Sequence, residues 1–221
     1  MIDLKSPRNI ILVGGGRFGR LALQRLGSRI GRIIELQPGG QLRKLAREAG
    51  AEIIPGQGVG ALIRILGENG PPVWVIPAVP QHLLVDWLLI TLAKQGIQRR
   101  TVPDEALPRV PSLTRGADGQ MLLSLADFLC PDDCPEPALN CTVTGRPRGL
   151  PLYQRLAKIN LPGWSTGVLR SRQLAPGVGG YPSSDLLALK QRIQQHGGCW
   201  LIGTACRCHG IVGALRLGVS R

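Results

Sequence analysis

The stretch Ile10-Ile11-Leu12-Val13-Gly14-Gly15-Gly16-Arg17-Phe18-Gly19-Arg20 decides the first half of the fold. Four apolar residues break on three glycines, and a helix-forming run resumes at Arg20. Gly14, Gly16 and Gly19 satisfy G-x-G-x-x-G, and the spacing gives each glycine its own task. Gly14 makes the tight turn, Gly16 admits a pyrophosphate to the backbone, and Gly19 lets helix and strand pack closely. The helix N-terminus offers free N–H groups and a positive dipole end to phosphate. A second apolar run, Gly31-Arg32-Ile33-Ile34-Glu35-Leu36, comes next. It ends in an acid about twenty residues beyond Gly14, where a dinucleotide fold places the carboxylate that takes the ribose hydroxyls. A carboxylate there repels a 2′-phosphate, so the expected ligand is NAD(H) rather than NADP(H).

Working outward, strand and helix patterns alternate. The periodicity predicts helices over 20–26, 41–49 and 81–95, an amphipathic run over 59–66, and strands over 51–55 and 72–77, with a fifth strand opening at Arg99. Repeated strand–helix units imply an α/β fold, a Rossmann-like doubly wound parallel sheet over residues 1–107. Prolines 103, 108 and 111 punctuate the middle of the chain, and 108–120 reads as a linker. The remainder, 121–221, reads as a smaller α+β Cys-rich domain. It has a short apolar element over 121–129, a strand over 167–174 and a glycine-rich loop over 175–180 able to cradle an anion. A helix capped by Ser183 or Ser184 and a hairpin of 199–205 with 211–217 complete it.

Composition bounds the function. With 221 residues, 43% hydrophobic and 19% charged, the chain is globular rather than disordered. No basic-then-apolar leader is read, and the longest apolar stretch, 83–93, contains Asp86 and is too short to span a bilayer. A cytoplasmic protein is therefore expected. The net charge of +13 is spread over both halves, and aromatics are only 4%. With so little to stack on exposed bases, no dedicated nucleic-acid binding is expected.

All six cysteines lie in the second half. Cys130, Cys134 and Cys141 are spaced C-x3-C-x6-C, and Cys199, Cys206 and Cys208 are spaced C-x6-C-x-C, with His209 directly after. A reducing compartment disfavours disulfides, so clustered thiols point to metal or redox chemistry. Zinc takes four thiolates but normally from C-x2-C knuckles, which are absent here. An iron–sulfur cluster tolerates looser spacing. The expected ligands are Cys130, Cys134 and Cys141 with either Cys206 or Cys208. Two other readings stay open: a reactive Cys206/Cys208 pair activated by Arg207, and unligated thiols packed as small hydrophobes, which suits Cys199 best. Asp132, Asp133 and Glu136 read as solvation of the cysteine loop. His82 reads as a helix cap or surface residue, and His196 as a helix C-terminal dipole contact. No catalytic triad, carboxylate pair or Tyr-x3-Lys dyad is recognisable, so catalysis is left open.

The run from Ile11 to Arg20 resembles the opening of regulator-of-potassium-conductance (RCK, Trk-type) domains, which carry a Gly-x-Gly-Arg-Phe-Gly strand–turn–helix. The resemblance covers about residues 8–105. It implies a domain that binds NAD(H) or another adenine nucleotide, usually as a homodimer, and that regulates a membrane potassium transporter or channel in trans. Gly14, Gly16, Arg17, Phe18 and Gly19 match the motif, and Glu35 matches the acidic ribose ligand. The chain departs from the family at Gly56-Gln57, where a Gly-Asp pair is common, and throughout its cysteine-rich half.

These readings combine into one leading expectation: an NAD(H)-binding regulatory or redox-sensing protein with an iron–sulfur or zinc site in its second half. An NAD-dependent iron–sulfur oxidoreductase is the first alternative, and a zinc-stabilised nucleic-acid-binding regulator the second.

Overall fold

The apolar run Ile10–Val13 is buried along its whole length and forms the first strand, β1. The structure, a computed structural model, describes residues 8–67 and 73–218. From β1 the chain alternates through α1 (Arg17–Leu26), β2 (Ile30–Glu35), α2 (Gly40–Ala49), β3 (Glu52–Pro55), α3 (Gly58–Leu66), β4 (Trp74–Pro77) and α4 (Leu83–Thr91). It then runs through β5 (Gln98–Arg100), β6 (Ser112–Arg115), β7 (Met121–Ser124), α5 (Leu152–Ala157), β8 (Trp164–Arg170), β9 (Arg172–Ala175) and β10 (Val178–Pro182). The helix α6 (Ser183–His196) and the strands β11 (Gly198–Ala205) and β12 (His209–Leu217) complete the order. Pro72, the expected first residue of the fourth strand, lies outside the described residues.

Two mixed sheets result, so the protein is α/β. In the first, the order is β3-β2-β1-β4-β10-β9, with β1 to β4 mutually parallel and β10 and β9 antiparallel. In the second, the order is β6-β7-β12-β11-β8, and β5 pairs with β12.

The fully parallel first sheet expected from the sequence is corrected by this topology. The segment at Arg99 does not lie beside β4; Gln98–Arg100 pairs antiparallel with Ala214 to Arg216 of β12. An interior strand must be apolar on both faces, and Gln-Arg-Arg is not. The place beside β4 goes to β10, which buries Val178 and Tyr181 and sets Tyr181 opposite Val75. The run 167–174, expected as one strand, is divided at Ser171. Upstream, β8 lies parallel to β11 in the second sheet; downstream, β9 pairs with β10 in the first. Ser112–Arg115, within the stretch expected as a linker, is the edge strand β6. Sheet pairing therefore crosses the 108–120 segment in both directions. The hairpin of β11 and β12 is found in register from Gly198↔Leu217 to Ala205↔Gly210.

Three apolar clusters fill the layers. One side of the first sheet packs Leu12, Ile33 and Trp74 on Ala22, Leu23 and Leu42 of α1 and α2. Its other side joins Val13 and Val75 to Leu62 of α3, Leu84 and Leu88 of α4, and Leu189 and Ile202 of the second half. A third cluster lies around α5, with Leu152, Leu156, Leu201 and Val212. Truncating a fully buried leucine such as Leu88 or Leu152 to alanine costs about 2–5 kcal/mol. Ser183 does not cap α6 with its hydroxyl. It is buried, and its Oγ accepts the N–H of Val73 at 3.1 Å while its own N–H donates to the Val73 carbonyl at 2.8 Å. The extension of the first sheet is thereby stitched where β10 runs into α6.

Candidate functional site

The glycine loop leaves the carboxyl end of β1 between β2 and β4. Gly14 sits at φ 101°, a left-handed conformation that a side chain resists, and a Cβ there would stand 2.4 Å from the Ala78 carbonyl oxygen. Gly19 faces the turn so closely that a Cβ would overlap the Gly14 carbonyl. A Cβ on Gly16, by contrast, meets nothing within 4 Å. The turn and packing tasks read from the sequence thus fall on Gly14 and Gly19, and open space remains at Gly16, the N-cap of α1. That helix has no side-chain cap bond and no acidic residue in its first turn. Glu35 ends β2 and reaches across to the loop. Its Oε2 accepts the Gly15 N–H at 2.6 Å, and its Oε1 accepts the Gln37 N–H at 3.2 Å. A carboxylate has about four acceptor positions, so two remain for incoming hydroxyls.

Arg17 and Phe18 take a different direction. The Arg17 guanidinium stacks over the Phe18 ring at 5.6 Å and pairs with the Asp132 carboxylate. Both residues line a cavity of about 910 Å3 whose far wall carries Cys130, Cys134, Cys206 and Cys208. The Asp132 loop is held from below by Arg25, which donates to the Asp132 carbonyl at 2.6 Å and to the Pro176 carbonyl. Gln173 and the Gly177 N–H both donate to the Cys134 carbonyl, at 2.7 and 3.2 Å. Asp132 is therefore an ion-pair partner of α1 that keeps part of its side chain in solvent. The 175–180 run is the turn of the β9–β10 hairpin, against which the cysteine loop is seated.

All six thiols are free. Cys130, Cys134 and Cys208 line both the large cavity and an adjoining one of about 300 Å3, which Cys141 also lines. Arg148 lies among them: its Nη1 donates to Cys208 Sγ at 2.6 Å, and its charge faces Cys141 and Cys134. Burial pushes the Cys208 thiol up, against the opposing pull of Arg148. Backbone N–H groups of Thr144 and Val143 hold Cys141 below the ordinary thiol range. Cys206 is pushed up to about 12 by burial and by Glu136, although its Sγ accepts the N–H groups of Cys208 and His209 at 3.4 and 3.3 Å. A thiol held so high is a poor nucleophile, so burial works against activation of Cys206 itself. The backbone N–H of Arg207 donates to Glu136 Oε1. Cys199 lies at the start of β11 and Cys206 just past its end, about 20 Å away at the strand rise. Among the described residues, no three His, Cys, Asp or Glu side chains stand close enough to share one ion as they are placed.

His82 is the N-cap residue of α4, as expected, but its side chain makes no cap bond and is buried rather than on the surface. It is 2% exposed, its Nε2 lies 3.3 Å from Thr204 Oγ1, and its N–H donates to Gln120 Oε1 at 3.2 Å. Desolvation, reinforced by Arg99, lowers its pKa to about 3. His82 bridges α4 to the second sheet. His196 ends α6 with Nδ1 2.9 Å from the Arg192 carbonyl, as a helix-terminal contact should.

Sequence reasoning missed Arg148, Arg25 and Gln173. Each sits outside any recognisable spacing, and only the folding of the loop back on α1 and β9 gives it a role.

The fold and site define a mixed α/β protein with a glycine turn at one sheet end and a thiol-lined cavity beside it. A family model described as "Uncharacterized protein, C-terminal domain" matches residues 82–218, and the chain belongs to that family. The matched region opens at His82 and includes the whole cysteine-rich segment. A protein of Archaeoglobus fulgidus described as "Uncharacterized protein" is 28% identical over 148 residues, which is 66% of this chain and 66% of that relative. The alignment therefore spans about two thirds of the relative's length. No solved structure matches. No described helix is long and apolar enough to cross a membrane.

Proposed function

We propose that this protein is an NAD(H)-binding regulator with a Rossmann-like nucleotide end, in which nucleotide occupancy is transmitted to the cysteine-rich segment. One observation carries the reading: the Glu35 carboxylate closes on the Gly15 N–H beside an open Gly16. In that arrangement the pyrophosphate lies over Gly16 and the start of α1, where N–H groups and the helix dipole favour anions. Glu35 accepts the ribose hydroxyls with its remaining lone pairs and disfavours a 2′-phosphate. The resemblance to regulator-of-potassium-conductance domains supports the same nucleotide, and control of a membrane potassium transporter in trans is the output it implies. Transmission runs through Arg17, which belongs to the glycine turn and pairs with Asp132 of the cysteine loop.

Calorimetric titration with NADH tests the proposal. Saturable binding that Gly16→Val abolishes without changing the circular dichroism spectrum is the expected result, because the open space at Gly16 tolerates the side chain in the free protein. Unchanged affinity in Gly16→Val refutes the assignment. A second reading, an NAD-dependent oxidoreductase, draws on the cavity that joins Phe18 to the thiols. Steady NADH oxidation with an added electron acceptor would favour it over the regulator.

A further inference from the structure

We infer that the thiolates of Cys130, Cys134, Cys141 and Cys208 together hold a thiophilic metal centre, a zinc ion or an iron–sulfur cluster. The inference stands independently of the nucleotide reading and rests on two unrelated observations.

The first is convergence. Three cysteines of one loop, Cys130, Cys134 and Cys141, line the smaller cavity together with Cys208 of the β11–β12 turn, while Cys199 is left at the other end of β11. A guanidinium lies among the four sulfurs, with Arg148 Nη1 2.6 Å from Cys208 Sγ. A cation among converging thiols is the electrostatic environment that favours thiolates. Cys206 lines only the larger cavity, and its sulfur accepts the N–H groups of its own turn.

The second is the segment that carries the thiols. From Leu125 to Pro151 the chain forms no helix or strand, only an isolated bridge between Asn140 and Pro147. No residue between 127 and 150 is buried, and Leu129 and Leu139 are 96% and 79% exposed. Yet the segment keeps a defined path, with turns closed by Cys134 N–H to Pro131, Gly145 N–H to Cys141 and Arg148 N–H to Leu139. Ordering a residue costs about 1–2 kcal/mol of backbone entropy, and apart from Ala126 at its start this segment has no buried apolar side chain to offset it. A structureless run of this length in a compact protein is normally functional or unfolded. A structural thiolate centre supplies about 10 kcal/mol or more of folding free energy, which is the term the segment lacks.

Loading the site needs the loop to rearrange, since among the described residues no three donors are within reach of one ion as they stand. The Arg148 side chain swings outward and the four sulfurs close into its place. Each thiol gives its proton to solvent, so a divalent zinc with four thiolates carries two negative charges. Arg148 then offsets one of them from the outer shell, donating to sulfur.

The test uses the full chain, expressed with iron and zinc supplied and purified anaerobically without chelator. Elemental analysis and an absorption spectrum are the readouts. About one zinc per colourless chain, or iron with matching sulfide and broad visible absorption, supports the proposal and tells the two centres apart. Cys130→Ser, Cys134→Ser, Cys141→Ser and Cys208→Ser should each lower the metal content at least about fivefold. Cys199→Ser and Cys206→Ser should retain it. Because a ligand variant can unfold the loop, the unmodified protein is also titrated with an organomercurial, and metal release should complete as about four thiols react. A metal-free protein overturns the proposal, and a mass lighter by two hydrogens would assign the thiols to a disulfide instead. Metal retained in Cys208→Ser but lost in Cys206→Ser overturns the ligand set.

Discussion

Arg17, the first residue of α1, is ion-paired with Asp132, 115 positions further along the chain. The pair ties the glycine turn to the cysteine loop. Both partners retain solvent access, so its direct contribution to stability is small, about 0–1 kcal/mol. Its weight lies in where it holds a negative charge: the Asp132 carboxylate sits beside the helix end offered to a pyrophosphate. Asp132→Ala should therefore tighten NADH about threefold at low salt and less at high salt. Calorimetric titration at two ionic strengths checks this, and weaker binding would mean that Asp132 positions Arg17 rather than competing for it.

Glu35→Gln should leave the Gln37 contact and the fold in place while removing the charge that faces a 2′-phosphate. The preference for NADH over NADPH is expected to fall by about tenfold, roughly 1.4 kcal/mol. The ratio of the two dissociation constants, measured on the same preparation, reads it directly. An unchanged ratio would place the adenosine ribose elsewhere.

Neighbouring glycines should respond in opposite ways. Gly14→Ala forces a Cβ against the Ala78 carbonyl at positive φ and is expected to cost more than about 2 kcal/mol in urea denaturation. Gly16→Ala, into open space at the N-cap, should cost less than about 1 kcal/mol. Equal penalties would contradict the turn geometry.

Acid should weaken the protein through His82. The folded chain keeps this ring neutral down to about pH 3, whereas an unfolded histidine takes its proton near 6.5. Above 6.5 both forms are neutral and the full stability is present. Below it the unfolded chain binds the extra proton, so stability falls as pH falls, by up to about 1.4 kcal/mol per unit. Denaturation curves at about pH 7 and about pH 5 should differ less in His82→Gln than in the unaltered protein. An identical difference would show that His82 titrates freely.

The parts of the fold legible in the sequence are those written locally. The strand–glycine–helix run and Glu35 lie within one strand–helix–strand unit, and β11 and β12 are apolar runs that follow one another directly in the chain. The edge of the first sheet was not legible. That β10 rather than Arg99 lies beside β4 depends on which distant segment best fills an apolar slot, and no local pattern around residue 178 records that. The break at Ser171 is equally silent, because both sides of it have the same extended, alternating character. Among the thiols, spacing could not choose between Cys206 and Cys208. The proposed choice rests on Arg148, which donates to Cys208 Sγ and sits in an irregular loop with no neighbour in sequence to advertise it.

The division of one extended run at Ser171 between two sheets has a consequence for how the molecule comes apart. A fragment ending near residue 107 would leave the β4 edge bare, with unpaired N–H and C=O groups open to edge-to-edge association. Strands from the second half complete the first sheet, and β5 from the first half pairs into the second. Any ligand that binds only the native form adds its full linkage free energy to both sheets at once. Saturating the glycine turn should slow amide exchange in β11 and β12 as much as in β1 and β4, although no ligand touches those strands.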